Sequence, residues 1–99
     1  MTARPVRFLG AARAELRRAV DRYDTQVSGL GDELLAEVEH SLHRIAASPE
    51  SGSPHLSGTR RMLVRRFPYA VIYRSDEQEV IVVAVAHHRR RPGYWIRRI

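Results

Sequence analysis

The fold of this chain is decided by two apolar stretches, Phe67-Pro68-Tyr69-Ala70-Val71-Ile72-Tyr73 and Val80-Ile81-Val82-Val83-Ala84-Val85-Ala86. Both are rich in β-branched and aromatic residues, which predicts strands over residues 69–74 and 79–87. A polar turn at 76–78 joins them, and Pro68 marks a second turn after a predicted strand over residues 60–67. Short connections indicate antiparallel hairpins. The stretch 80–86 is almost continuously apolar, which is typical of a central strand covered on both faces.

The first half of the chain has the spacing of an α-helical hairpin. A first apolar stripe predicts a helix over residues 11–26, and a second stripe continues to Ala47. Residues 28–31 form the break, with Ser28 either capping the second helix or lying in the loop, and Ser48-Pro49 ends that helix. Val6 to Leu9 is short and β-prone, and residues 50–58 are typical of a loop. The predicted fold is therefore α+β, with an N-terminal strand and a helical hairpin packed on an antiparallel sheet, in one domain over residues 1–99.

Charge is unevenly distributed along the chain. All 17 basic residues are arginines against 11 acids, which gives a net charge of +6. Up to Ser48 the arginines and acids balance, so the whole excess lies in the second half. This asymmetry suits a polyanionic partner or an acidic protein. The absence of lysine fits either bidentate phosphate contacts or biased codon usage.

Other classes of protein are disfavoured. The chain has no cysteine, so it has neither a disulfide framework nor a cysteine metal site. Its longest apolar run is far below the roughly 18 residues of a membrane span, and its N-terminus has no apolar signal core. His40 and His43 lie three apart on the second predicted helix but have no third ligand in a motif. We expect a cytoplasmic protein with no metal, no cofactor and no membrane association.

The ordered set of local motifs resembles the RelE/ParE superfamily of bacterial type II toxins. The matching residues are Glu15-Leu16, Ser48-Pro49, the region of Arg61, Phe67-Pro68-Tyr69 with Ile72-Tyr73, and Val85-Ala86-His87 with Arg90, Pro92, Tyr94 and Trp95. The resemblance implies a growth-inhibiting toxin, held inactive in a hetero-oligomer by a cognate antitoxin encoded beside it. For a basic toxin we expect the antitoxin segment to be acidic and apolar, partly disordered when free and folding as it binds.

The same resemblance implies candidate site residues. RelE-like members cleave messenger RNA on the ribosome without a metal, whereas ParE-like members poison DNA gyrase and lack a nuclease site. For cleavage, the candidate catalytic residues are His88, Arg90, Tyr94 and Arg61, and the candidate RNA-binding residues are Arg60, Arg65, Arg66, Arg89 and Arg91. His87 and His88 point to opposite faces if both lie in a strand, so at most one belongs to the site. Trp95 either stacks on a base or seals the edge of the core.

Two molecular targets remain open at this point. The tail of histidines, arginines and Tyr94, with the basic stretch 60–66, favours ribosome-dependent mRNA cleavage, which we expect by a small margin. Ala70 occupies the position where the RelE-like pattern has an arginine after the tyrosine, and this favours the gyrase inhibitor. A stand-alone basic nucleic-acid-binding module is a more distant alternative.

Overall fold

The computed structural model describes residues 3–99 and builds five strands and two helices from them. In chain order these elements are β1 (Val6–Phe8), α1 (Gly10–Gln26), α2 (Leu30–Ala47), β2 (Ser53–Pro54), β3 (Arg60–Leu63), β4 (Tyr69–Ser75) and β5 (Val80–His87). Short 3-10 turns lie at Pro49–Ser51, Leu56–Gly58 and Ile96–Arg98. The predicted α+β class, with its N-terminal strand and helical hairpin on a sheet, is confirmed.

The five strands form one sheet in the order β1-β5-β4-β3-β2. The pairs β3–β4 and β4–β5 are antiparallel, as the short turns predict. β1 is instead parallel to β5, with Val6 opposite Val80, so the sheet is mixed rather than wholly antiparallel. A parallel neighbour requires a long crossover connection. Here the helical hairpin and strands β2 to β4 provide it.

Two boundaries differ from the predictions. The strand predicted over residues 60–67 ends at Leu63, because Arg66 has φ 70° and cannot continue an extended strand. The Val64 amide donates to the Tyr69 carbonyl and closes the hairpin there.

The loop over residues 50–58 contains the short strand β2, which pairs with Arg60 and Arg61. Between the helices, Gly29 adopts φ 88° and Ser28 makes no capping bond.

Both faces of the sheet are covered. On one face, α1 and α2 bury an apolar core against β4 and β5, with Leu34, Val38, Val71 and Val82 fully enclosed. On the other face, Trp95 packs on Ala70, Ile72, Val83 and Ala84, and only 2% of its surface is exposed. Of the two roles considered for Trp95, the structure therefore shows core packing. The central position predicted for residues 80–86 is also confirmed.

β5 is longer than the strand that covers its outer edge. β1 pairs only with Val80 to Val82, since the chain turns into α1 at Gly10. On the other side of β5, the register with β4 shifts so that Val83 has no partner there. From Val83 onward, the outer edge of β5 depends on side chains for its hydrogen bonds, and this requirement organises the site described below.

The helical hairpin closes on a glycine with no room for a side chain. The Gly31 amide donates to the Asp24 carboxylate at 2.7 Å, and a Cβ at this position would meet the Val20 carbonyl and lie 2.7 Å from Asp24 Cγ. We predict that Gly31→Ala lowers the free energy of unfolding by about 1–3 kcal/mol in urea denaturation. Gly10→Ala is the matched control, because no neighbour lies within 4 Å of a Cβ there, and it should be neutral or slightly stabilising. Equal losses in both variants would contradict the close approach.

Candidate functional site

A buried carboxylate completes the outer edge of β5. Glu15, on α1, accepts a hydrogen bond from the Val85 amide at 3.1 Å through Oε1. Arg98 binds both carboxylate oxygens, at 2.9 and 3.0 Å, and also donates to the carbonyl of Val83 at 3.1 Å. The Tyr94 hydroxyl donates to Oε2 at 2.6 Å. One carboxylate therefore ties together the first helix, the central strand and the C-terminal segment.

This network determines the ionisation of its members. Burial raises the pKa of Glu15, but the hydrogen bonds from Arg98, Tyr94 and Val85 outweigh burial and leave that pKa below its ordinary value. Burial, followed by the hydrogen bond to Glu15, raises the pKa of Tyr94 far above its ordinary value. Glu15 is thus a carboxylate whose lone pairs are occupied, and Tyr94 is a neutral phenol whose O–H already donates a hydrogen bond to Glu15.

Above this network, α1, the end of β5 and the following turn enclose a cleft of about 520 Å³, which we call the basic cleft. It is lined by Glu15, Arg18, Arg22, Tyr23, Gln26, Tyr69, Val85, His87, Arg89 and Arg90. The four arginines form no salt bridge in the described part of the chain. The cleft is therefore a concentration of uncompensated positive charge.

His87 lines this cleft as a neutral ring with its proton on Nε2. Its Nδ1 accepts a hydrogen bond from the Arg89 backbone amide at 3.0 Å, so the neutral ring must carry its proton on Nε2. Burial, together with the charges of Arg22, Arg89 and His88, lowers the pKa of His87 below its ordinary value of 6.5, which keeps the ring neutral at pH 7. The ring also packs edge-on against Tyr69, with centroids 5.0 Å apart.

Two of the arginines in the cleft are held by tyrosines. Arg22 donates to the hydroxyl of Tyr69, a side chain that is almost fully buried. The guanidinium carbon of Arg90 lies 3.9 Å from the centroid of the Tyr94 ring, which is cation–π contact. Both charges are thereby positioned by rigid aromatic groups anchored in the core.

The structure brings together some of the residues predicted from the sequence. Arg89 and Arg90 line the basic cleft, and Tyr94 lies directly beneath Arg90. His88 lies beyond the end of β5 and is exposed, and its backbone amide donates to the Pro68 carbonyl. Arg91 is exposed and does not line the cleft.

The predicted residues before β4 lie elsewhere. Arg61 is opposite Ile72 and therefore belongs to the sheet face that Trp95 covers, whereas Tyr69 and Val85 of the cleft belong to the helix-covered face. Arg60 donates to the Gly52 carbonyl at 2.8 Å. In the β3–β4 turn, Arg66 pairs with two carboxylates of α2, those of Glu33 at 2.9 Å and Glu37 at 3.8 Å. Arg65 is exposed in the same turn.

Sequence reasoning missed three contributors. Arg18 and Arg22 lie four residues apart on α1, and Arg18 is three residues after Glu15, so helical spacing alone puts all three on one face. This spacing was sufficient to predict that Arg18 and Arg22 lie beside Glu15 on α1. Arg98 could not be assigned, because its partner Glu15 is 83 residues away in the sequence.

Two further observations concern metals and membranes. Within residues 3–99, no three side chains of the ligating types come together as a metal ion would require. Across the same residues, neither helix has both the length and the apolar character needed to cross a membrane.

Comparisons with known proteins agree with this architecture. The family model described as "ParE toxin of type II toxin-antitoxin system, parDE" matches residues 6–92. Among solved structures, the chain is similar in fold to one from the chromosomal ParDE TA system of P. aeruginosa, with a TM-score of 0.74, 13% identity, and coverage of 86% of this chain and 96% of that one. It is also similar to one from the toxin-antitoxin complex RelBE2 of Mycobacterium tuberculosis, with a TM-score of 0.62, 29% identity, and coverage of 88% and 93%. No curated protein sequence gives a significant match.

We predict that Glu15→Gln lowers the free energy of unfolding at pH 7 by about 2–4 kcal/mol, because it leaves the partly exposed Arg98 guanidinium without its counter-charge. The folded-state pKa of Glu15 is depressed, so this stabilisation is present above the ordinary value of 4.5 and is lost as the pH falls through the folded-state value. Urea denaturation at pH 7 and pH 3 should show the gap between wild type and variant narrowing in acid.

The control for this measurement is Glu79→Gln, which removes the exposed partner of Arg7. It should cost at most about 1 kcal/mol at pH 7. If Glu15→Gln behaves like this control, the carboxylate does not anchor the C-terminal segment.

Proposed function

Because the chain belongs to the family of ParE toxins of type II toxin–antitoxin systems, we propose that it inhibits growth by binding DNA gyrase, without cleaving RNA. The resemblance to the RelE/ParE superfamily is confirmed by the match over residues 6–92 and by the two structural similarities. Within that superfamily, the choice between a gyrase inhibitor and a nuclease rests on what the site can do chemically.

One observation carries the proposal: the side chains that face the basic cleft donate hydrogen bonds and offer no free base. Arginines cannot give up a proton near neutral pH. Burial raises the pKa of Tyr69, which keeps this side chain a neutral phenol. His87 also lines the cleft, and its neutral ring has its proton on Nε2 because its Nδ1 accepts a hydrogen bond from the Arg89 amide. Metal-free cleavage of RNA needs a group that accepts the 2′-hydroxyl proton.

The carboxylate that could serve as such a base is already engaged. Glu15 accepts four hydrogen bonds, and its pKa lies below the ordinary value, so it is a poor proton acceptor near neutral pH. The Tyr94 hydroxyl keeps its proton and already donates its hydrogen bond to Glu15. Arg61 lies on the opposite face of the sheet from the cleft. These contacts support a surface that binds a target and make an acid–base pair difficult to assemble.

Ribosome-dependent mRNA cleavage is the second candidate function. A specific observation favours it: a neutral imidazole, that of His87, lies beside four arginines that can stabilise a phosphorane. For this candidate the proton would have to move from Nε2 to Nδ1, which breaks the bond from the Arg89 amide. The candidate roles of His88, Arg90, Tyr94 and Arg61 in catalysis, and of the other arginines in RNA binding, remain predictions.

We propose a cognate antitoxin as the physiological partner. The two similar structures come from ParDE and RelBE2 toxin–antitoxin systems. The net charge of +6 fits an antitoxin with an acidic segment that is partly disordered when free. Gyrase and the ribosome are both cytoplasmic, so we propose that the toxin acts in the cytoplasm.

The tautomer of His87 can be measured directly. We predict that long-range proton–nitrogen NMR spectra at pH 8 show the Nε2–H tautomer, with a titration midpoint below 6.5. His40, exposed on α2, supplies a reference ring in the same spectra. An Nδ1–H tautomer for His87 would leave Nε2 free to accept a proton and would favour the nuclease.

The target can be decided in cells. We predict that induction of the toxin without its antitoxin leaves messenger RNA intact and produces gyrase-dependent DNA breaks, when RNA ends and DNA breaks are mapped in parallel. His88→Ala should be as toxic as wild type, as should the control His40→Ala. Codon-phased RNA cuts that fall by roughly 10²–10³ in His88→Ala or Arg90→Ala would overturn the proposal and support the nuclease.

A further inference from the structure

The basic cleft has the chemistry of a nucleic-acid phosphate site. We propose that it binds the phosphodiester backbone of a nucleic acid held by the toxin's target, an inference that rests on the proposed function because it assigns a nucleic-acid component to that target.

The first argument is charge balance. Arg18, Arg22, Arg89 and Arg90 line the cleft and have no carboxylate partner within the described residues. By contrast, Arg98 is neutralised by Glu15. Four like charges around one cavity repel each other, and the repulsion is relieved when an anion enters. A polyanion supplies several such charges at once.

The second argument is direction. The lining side chains with N–H groups come from three elements: α1 contributes Arg18 and Arg22, the end of β5 contributes His87, and the following turn contributes Arg89 and Arg90. A carboxylate is planar, and one guanidinium satisfies both of its oxygens. A phosphate has tetrahedral oxygens that accept bonds from several sides. The arrangement around the cleft therefore matches phosphate better than an acidic side chain.

The third argument is preorganisation. Arg22 is held by the buried Tyr69 hydroxyl, and Arg90 lies on the Tyr94 ring at 3.9 Å. Both tyrosines pack in the protein core or its edge, so the two guanidiniums lose little freedom when an anion binds. The cavity of about 520 Å³ is larger than one phosphate, and it can also admit an adjoining sugar.

The test is fluorescence anisotropy on the full-length toxin with labelled probes: a duplex DNA, a single-stranded RNA and a poly-glutamate peptide. The cleft variant is Arg22→Gln with Arg90→Gln. The control is Arg17→Gln with Arg74→Gln, two exposed arginines outside the cleft and outside any salt bridge of the described chain, with the same loss of charge. Thermal unfolding of each variant shows that it remains folded.

We expect the wild-type toxin to bind at least one of the two nucleic-acid probes. Comparison of the affinities for the duplex DNA and the single-stranded RNA then shows which backbone is preferred. The cleft variant should lose at least about tenfold in affinity, and its salt slope should fall by about 2 for duplex DNA. The control should lose much less.

Equal losses in the two variants would overturn the inference, since binding would then reflect overall charge. Preferential binding of poly-glutamate would overturn it too and would assign the cleft to an acidic protein. If the cleft variant binds the nucleic-acid probes as well as wild type does, but gyrase-dependent DNA breaks still form in cells, the phosphate site is rejected and the proposed function is retained. Cuts in RNA, accompanied by cleft-dependent binding, would remove the proposed function and retain the phosphate site.

Discussion

The Glu15 carboxylate lies where β1 stops and β5 continues, and it replaces the backbone partners that a longer β1 would provide. Together with Arg98 it satisfies the Val85 amide and the Val83 carbonyl on an otherwise open edge. An unpaired edge in the middle of a sheet would lose hydrogen bonds and invite pairing with another chain. The same ion pair holds the C-terminal segment in place, and that segment carries Trp95 onto the second face of the sheet. Sheet, helix and tail thus depend on one ion pair, whose carboxylate is buried.

This structural duty has a chemical consequence. A carboxylate that accepts four hydrogen bonds cannot balance the arginines above it, and the Tyr94 hydroxyl that it binds cannot donate elsewhere at the same time. The basic cleft therefore keeps its full positive charge while losing its nearest base and acid. The same network contributes to stability and to binding. It provides hydrogen bonds to the outer edge of β5, and its Tyr94 ring contacts the Arg90 guanidinium. Anion binding follows from this arrangement more directly than proton transfer does.

Most of the fold could be predicted from local patterns, whereas most of the site could not. The periodicities of the helical hairpin and of residues 69–87 reflect burial, so the elements formed where the sequence indicates. The end of β3 was missed because the left-handed conformation of Arg66 is set by its turn and by its ion pairs with α2, and has no local signal. The direction of β1 depends on which edge of the sheet it joins. The pairing of Glu15 with Arg98 joins the two ends of the chain, and charge counting cannot identify partners in a sequence with 17 arginines.

The tail that begins at His87 illustrates why residue type alone does not identify a site. The sequence His87-His88-Arg89-Arg90-Arg91 has the composition of a nuclease centre. The turn after β5 divides it: His87, Arg89 and Arg90 face the cleft, whereas His88 and Arg91 face solvent. The same turn brings the Arg89 amide onto His87 Nδ1, and this single backbone bond decides which nitrogen carries the proton. An imidazole that would otherwise be a base at neutral pH becomes a donor, so the geometry of one turn favours binding over catalysis.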